Sequence, residues 1–297
     1  MLIAQILKKY MFGGFRKLLA DNFNIIYIME EDFSKYNGEG TMLRKAQLRM
    51  LDILVEVDKI CRKHNIPYWI DYGTLLGAVR HGGFIPWDDD VDICVMGDDY
   101  TRLRKALLND LPEQFVFQDS KIDSNAFFYY GRVRDKNSYF YYPYFVKLKE
   151  QGMCVDVFRV DKVVSPQMKE FVDYFFRRSY REIHNYGNVA YNSVLKRLIY
   201  KICAYAIHPF ALLGVWLTKK LTVFSKKHYL ALFTTSPGKW FIEDNVFPLT
   251  EVEFEGHRFF APSNIDAHLK MRYGDYMNLP KEEDRKPMLD VEKMKIW

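Results

Sequence analysis

The stretch Asp71-Tyr72-Gly73-Thr74-Leu75-Leu76-Gly77-Ala78-Val79-Arg80-His81-Gly82-Gly83-Phe84-Ile85-Pro86-Trp87-Asp88-Asp89-Asp90-Val91-Asp92-Ile93 decides the fold. A turn of small residues leads into a short helix carrying Leu75, Leu76 and Val79. Four carboxylates then fall within five positions, and the last of them, Asp92, enters an apolar run that ends at Met96. Period two along a strand places Asp90 and Asp92 on one face. Like charges a few ångströms apart repel unless a cation sits among them. Ligands made only of oxygen favour a hard divalent ion, Mg2+ or Mn2+. The chemistry predicted is metal-assisted phosphoryl transfer.

Outward from this stretch, helices and strands alternate. Thr41 is a plausible N-cap for a helix running to about His64, with Leu43, Ala46, Met50, Leu51, Leu54, Val57 and Cys61 as its apolar stripe. Strands are predicted over Tyr68–Asp71, Val91–Met96, Phe115–Phe117, Phe127–Arg134 and Met153–Phe158, with a helix over Asp98–Leu108 between the second and third. The order predicts an α/β (α+β) mixed-sheet core with flanking helices and a mostly helical C-terminal half. Val155-Asp156-Val157 puts a carboxylate inside an apolar strand, where an unpaired charge is costly. If that strand lies beside the one bearing Asp92, Asp156 joins the metal site. Gly73 lets the backbone approach a phosphate closely, and Thr74 offers it a hydroxyl and an amide.

Beyond Ser165 the pattern turns helical, over residues 166–186 and again from Asn192 to about Phe233. Ile199–Leu217 is nearly continuous apolar sequence, interrupted by Lys201, His208, Pro209 and Gly214. Buried core helices rank first for it, an interfacial or re-entrant membrane contact second, and a membrane span a distant third. Ser236-Pro237-Gly238 marks a turn. Val252–Phe254 and Arg258–Phe260 read as a hairpin turning at Glu255-Gly256, followed by a helix over Ile265–Tyr273. Residues 1–20 read as a basic amphipathic helix, more often a solvated face than a membrane anchor, and Asn24–Met29 as strand-like. The organisation expected is an N-terminal extension (1–40), a catalytic core (41–164) and a helical region (165–297) completing the same domain.

Of the 297 residues, 49% are hydrophobic, which supports a packed core and argues against global disorder. The net charge of +5 is spread along the chain and suits phosphate-bearing substrates or anionic head groups. No basic stripe with interleaved aromatics accompanies the acidic cluster, so nucleic acid is not expected as a partner. Cys61, Cys94, Cys154 and Cys203 all sit in apolar contexts without a Cys-x-x-Cys pair, which predicts buried, reduced thiols. That favours the cytoplasm, with the inner face of the membrane as its extension.

The long motif Tyr72–Asp92, with Cys154-Val155-Asp156-Val157-Phe158, Phe254-Glu255-Gly256 and Tyr273–Pro280, resembles the LicD family, phosphorylcholine transferase-like members of the nucleotidyltransferase superfamily related to fukutin-type transferases. The resemblance covers roughly residues 41–290. It implies transfer of a phosphorylated head group from a CDP-linked small-molecule donor to a hydroxyl of a glycan or lipid-linked glycan acceptor, with CMP leaving. Lipopolysaccharide, teichoic acid and capsule precursors are the acceptors such a reading implies. It further implies that Asp90 and Asp92 hold Mg2+ and that Asp156 is a third ligand or the base that takes the acceptor proton. Donor binding would fall to Gly73, Thr74, Arg80, His81, Asp88 and Asp89, with Arg80 on phosphate. Trp87 or the tyrosines at 129, 130, 141, 142 and 144 would cage a choline.

Plainer readings stand beside these. Asp88 or Asp89 alone suits a turn, His81 suits the shaping of one, Arg80 suits a pair with an aspartate, and Tyr129 and Tyr130 suit sheet packing. Two other functions compete: an Asp-x-Asp glycosyltransferase using a nucleotide sugar, and a non-catalytic sugar-binding relative. The first needs a nucleotide-binding half ahead of the motif, for which little chain precedes Asp71. The second has no need of every carboxylate.

Overall fold

Helix α1 (Met42–Lys63) begins where the sequence supplies its cap: the Thr41 hydroxyl accepts the Arg44 N–H at 3.2 Å. Its buried face contains Leu43, Ala46, Met50, Leu51, Leu54, Val57 and Cys61, the stripe the spacing predicts. β1 (Tyr68–Ile70), α2 (Tyr72–His81), β2 (Asp92–Met96), α3 (Gly97–Asp110), β3 (Phe115–Gln118), β4 (Gly131–Asp135), β5 (Ser138–Tyr139) and β6 (Cys154–Val163) follow. Then come α4 (Pro166–Ile183), α5 (Val194–Lys220), β7 (Tyr229–Leu232), β8 (Trp240–Ile242), β9 (Thr250–Phe254), β10 (His257–Ala261), α6 (Ile265–Tyr273) and β11 (Lys295–Ile296). This computed structural model describes residues 32–233, 240–288 and 290–297. The helix expected over 1–20, the strand over Asn24–Met29 and the turn at Ser236-Pro237-Gly238 lie outside the described residues.

The main sheet has seven strands in the order β1-β2-β6-β4-β3, with β7 added to β6 and β8 to β7. β2 and β6 run parallel; the other pairs are antiparallel. The expected mixed sheet with flanking helices is therefore present. β6 serves two neighbourhoods. Its first half lies between β2 and β4, and Val160–Val163 pair with β7. One side of the sheet, through Tyr68, Ile70, Ile93, Val155 and Val157, packs on Met50, Leu54 and Val57 of α1. Each large apolar side chain buried there contributes about 1.5–3 kcal/mol. The β9–β10 hairpin turns at Glu255 and Gly256 with φ of 51° and 77°, the positive values a two-residue hairpin turn requires.

Four expectations need correction. Phe127–Tyr130 is not strand: β4 starts at Gly131, where a Cβ would lie 2.4 Å from the Phe117 ring, and the aromatic run ahead of it packs on Leu148 and Phe145 instead. Tyr229–Leu232, read as helical, is a strand on β6. Ile199–Leu217, read first as buried core, belongs to a helix of 27 residues of which only Ala204, Ala211 and Thr218 are buried. An apolar run has the same composition in a core and on an apolar surface; only its neighbours distinguish them. The thiols are all free, and Cys61 and Cys94 are buried as expected, but Cys154 is half-buried and Cys203, on that same helix, is exposed.

Candidate active site

The parallel register of β2 and β6 sets Asp92 beside Asp156, and the antiparallel register of β6 and β4 sets Arg132 opposite Asp156. Residues directly opposed across strands project to the same face. Asp92, Asp156 and Arg132 thus form a row over three adjacent strands. With Asp89 and Asp90 they line one cavity of about 580 Å³, whose other wall is aromatic.

Arg132 is only 7% exposed and carries the basic end of the row. Its Nε lies 2.7 Å from Asp156 Oδ1, and its Nη2 donates to Asp156 Oδ2 at 3.1 Å and to Tyr130 Oη at 2.8 Å. Nη1 is buried and has no hydrogen-bond partner. The guanidinium lies over Phe145 (4.4 Å) and Phe128 (4.6 Å). Burial opposes its charge, yet the neighbouring Asp156 and then Tyr130 hold its pKa above the ordinary value.

The acidic end is strained electrostatically. Asp90 is pushed up to about 7, by burial first and then by Asp89 and Asp156. Burial, then Asp90 and Asp89, pushes Asp88 well above the usual carboxylate range, and the Asp88 and Asp90 side chains share a hydrogen bond. Two carboxyl groups can share a bond only by retaining a proton. β2 starts at Asp92, one residue later than expected, but the Asp156 N–H donates to Val91 O at 2.8 Å and carries the ladder one residue further back.

The α2 turn builds this end from below. Asp71 caps the helix through the Tyr72 N–H (2.7 Å), and its own N–H reaches Asp92 O at 3.1 Å. Thr74 is 2% exposed, and its hydroxyl accepts the Asp92 N–H at 2.9 Å. A Cβ on Gly73 would lie 2.5 Å from Asp88 Oδ2, so only glycine lets that carboxylate close on the helix.

The oxygen-only, mutually repelling donor set fits a hard divalent ion. Among the described residues, no three or more His, Cys, Asp or Glu side chains are gathered as a metal site. Asp156 is turned to Arg132 instead. Mg2+ is commonly held by one or two carboxylates, with water and substrate phosphates completing its shell, and the fit here is of that kind.

The family model described as LicD/FKTN/FKRP, nucleotidyltransferase domain, matches residues 65–189. Residues 65–189 form a LicD-family nucleotidyltransferase domain. Over 267 residues the chain is 29% identical to the lipopolysaccharide cholinephosphotransferase LicD of Haemophilus influenzae, a match spanning 82% of this chain and 95% of that protein. A stretch of 69 residues is 53% identical to the ribitol 5-phosphate transferase FKRP of Mus musculus, covering 23% of this chain and 14% of that one.

Within this LicD domain the expected site residues divide. Asp89, Asp90, Asp92 and Asp156 line the cavity; Gly73, Thr74, Arg80, His81 and Asp88 do not. Gly73 and Thr74 position acidic residues. Arg80, expected on donor phosphate, instead donates from Nη1 to the carbonyls of Tyr276 (2.9 Å) and Asn278 (3.3 Å) and from Nε to His81 Nε2 (3.0 Å). It thereby anchors the Tyr273–Pro280 segment. His81 packs edge-on to Phe33 and Trp87, and burial followed by the Arg80 charge lowers its pKa to about 4. It stays neutral at ordinary pH, as a turn-shaping residue. Of the aromatics proposed as a cage, Tyr130, Tyr142 and Tyr144 line the cavity, whereas Trp87, Tyr129 and Tyr141 do not.

Arg132, Arg181 and Tyr186 line the cavity and were not singled out in the sequence. A signal for Arg132 existed: in Gly131-Arg132-Val133-Arg134 a charge alternates with apolar residues, as Asp156 does in its own strand. Asp71 was also missed. It is fully buried, receives Trp69 Nε1–H (3.1 Å) and bonds His268 Nε2 at 2.9 Å. Burial works against its charge, but His268 and Arg272 hold its pKa at about 2.

Proposed function

We propose that this protein transfers a phosphorylated head group, phosphocholine or a related phosphoalcohol, from a CDP-activated donor to a hydroxyl of a cell-surface glycan precursor, releasing CMP. The observation that carries this reading is the Asp92–Asp156–Arg132 row facing one cavity together with Asp90. The names of the relatives, a cholinephosphotransferase and a ribitol 5-phosphate transferase, support the reaction class.

In this reading Asp90 and Asp92 hold Mg2+ or Mn2+, and Asp88 and Asp89 add negative charge beside them. When bound, the ion would neutralise the donor diphosphate and favour departure of the nucleotide. Asp156 fixes the plane of the Arg132 guanidinium, and Arg132 Nη1 donates to a phosphate oxygen, the task expected of Arg80. Arg181 supplies a further cation to the cavity; its guanidinium lies 3.7 Å over Tyr186, and its Nε is buried without a hydrogen-bond partner. Arginines already cover Phe128, Tyr130, Phe145 and Tyr186, which among the expected cage tyrosines in the cavity leaves Tyr142 and Tyr144 to the head group.

Purified protein with Mg2+ and CDP-choline, CDP-ribitol or CDP-glycerol is expected to release CMP slowly without acceptor, and nucleotide sugars are not expected to substitute. A folded protein that releases CMP from none of the three contradicts the reading.

A further inference from the structure

Helices α4 and α5 carry a surface that the cavity does not explain. α4 turns Val172, Phe176 and Tyr180 inward, where they pack with Val163, Ala231 and Phe233. α5 is fastened to this body along its length. Lys201 Nζ donates to Asn185 Oδ1 at 2.9 Å, and Ser179 Oγ meets His208 Nδ1 at 2.9 Å. Gly214 comes so close that a Cβ there would lie 3.0 Å from both Val172 methyls. Thr218 O accepts the Val164 N–H at 3.0 Å, and Lys219 Nζ donates to Asp161 at 2.7 Å. These anchors recur at helical spacing and define one face.

The opposite face meets no protein among the described residues. Ile202, Phe210, Leu213 and Trp216 are exposed on it, Phe210 to 75%. Phe171 on α4 and Phe224 beyond α5 are also exposed, to 70% and 82%. An exposed apolar helix face of this kind marks an interaction surface. Charge identifies the partner. Between Glu182 and Glu243 the chain has no acidic residue and eight Lys or Arg, with Lys196 and Arg197 at one end of α5 and Lys220 at the other, beside the Asp161-paired Lys219. An apolar face rimmed by cations matches a bilayer that carries anionic head groups.

We propose that α4 and α5 dock on such a bilayer, with α5 lying flat in the interface and its Ile202–Trp216 face among the lipid chains. A helix of 27 residues is long enough to cross a membrane, at about 40 Å. Its attachment to the folded body along one whole side forbids crossing, and cations at both ends suit head groups at both ends. α4 and the segment after it also supply Arg181 and Tyr186 to the cavity wall, so docking sets the cavity beside the bilayer. That a lipid-linked acceptor is met there rests on the functional reading above; the docking itself does not.

The test is flotation of the full chain with vesicles of phosphatidylcholine alone or mixed with phosphatidylglycerol. Flotation is expected only with the anionic vesicles, weakening with added salt. The double variant Phe210→Ser/Trp216→Ser should bind roughly tenfold more weakly or less. Both side chains are exposed, so the circular dichroism spectrum and CMP release from soluble donor should be unchanged. Loss of the wild-type fluorescence quenched by lipids brominated high on the chain, on Trp216→Phe substitution, should report shallow insertion. No flotation of the wild type overturns the proposal. Undiminished flotation of the double variant also overturns it, because it places binding elsewhere, such as residues 1–31. Quenching only at the bilayer centre would mean a span, and self-association through this face without vesicle binding would mean a second copy; either overturns it.

Discussion

Arg132 and Asp156 face each other across β4 and β6 as a two-point pair, at 2.7 and 3.1 Å, inside a cavity whose other carboxylates, Asp90 and Asp92, stand on the far side of Asp156. Arg132→Ala is expected to cost about 3–5 kcal/mol in denaturant unfolding, because it leaves a partly buried carboxylate among like charges. Arg132→Lys keeps the charge but loses the planar fork. It should retain most of the stability and still lower CMP release by about a hundredfold, the scale on which loss of a preorganised donor acts. Full turnover by Arg132→Lys would show that the fork does not act on the substrate.

Asp90 yields a prediction on stability that runs against activity. Its pKa in the folded chain is raised from 3.8 to about 7. A carboxyl group raised in this way contributes stability that is complete below its unfolded value and lost as pH rises through the folded one. Protein in chelator should therefore lose stability between about pH 4 and pH 7, and added Mg2+ or Mn2+ should restore it. Asp90→Asn should raise the thermal midpoint at pH 8 in chelator by a few degrees while abolishing turnover. An unchanged or lowered midpoint would mean that the carboxylates do not oppose one another as described.

Asp71 titrates in the opposite sense. Its pKa is depressed from 3.8 to about 2 in the folded chain, with His268 and Arg272 outweighing burial. The stability it supplies is present above the unfolded value and is lost as pH falls toward about 2. Asp71→Asn weakens the charge-assisted bond to His268 and keeps the cap, so urea denaturation at pH 7 should show a loss of roughly 2–4 kcal/mol that shrinks below pH 4. A loss that does not depend on pH would reduce Asp71 to a helix cap.

Gly73→Ala places a methyl 2.5 Å from Asp88 Oδ2, and Gly77→Ala places one 2.4 Å from the Gly83 carbonyl. The first neighbour is the end of a side chain and can move; the second is backbone. Gly73→Ala should therefore cost about 1–3 kcal/mol and lower activity by displacing Asp88, while Gly77→Ala should destabilise more. Thermal melts and CMP release on both variants would settle the order.

The motif Asp71–Ile93 was legible because a glycine turn, a carboxylate cluster and an apolar strand follow one another in the chain. The capped helix α1 and the β9–β10 hairpin were legible for the same reason: period, cap and turn residues agree. Arg132 was missed because pairing partners across a sheet are set by strand order, which local pattern does not carry. The contacts of Arg80 were not legible because they are to backbone carbonyls at 276 and 278, almost two hundred positions away, and carbonyls leave no trace in a residue string. The exposure of α5 was hidden because its apolar composition is what a core helix would also have.

The most direct measurement is CMP release from a CDP-alcohol by the wild type and Asp92→Asn, each in chelator and after repletion with Mg2+ or Mn2+. The expected result is release by the wild type only with the divalent ion, and none by the folded Asp92→Asn variant under either condition. Release that persists in chelator, or that Asp92→Asn sustains near the wild-type rate, would contradict a carboxylate row that holds a cation against an activated diphosphate.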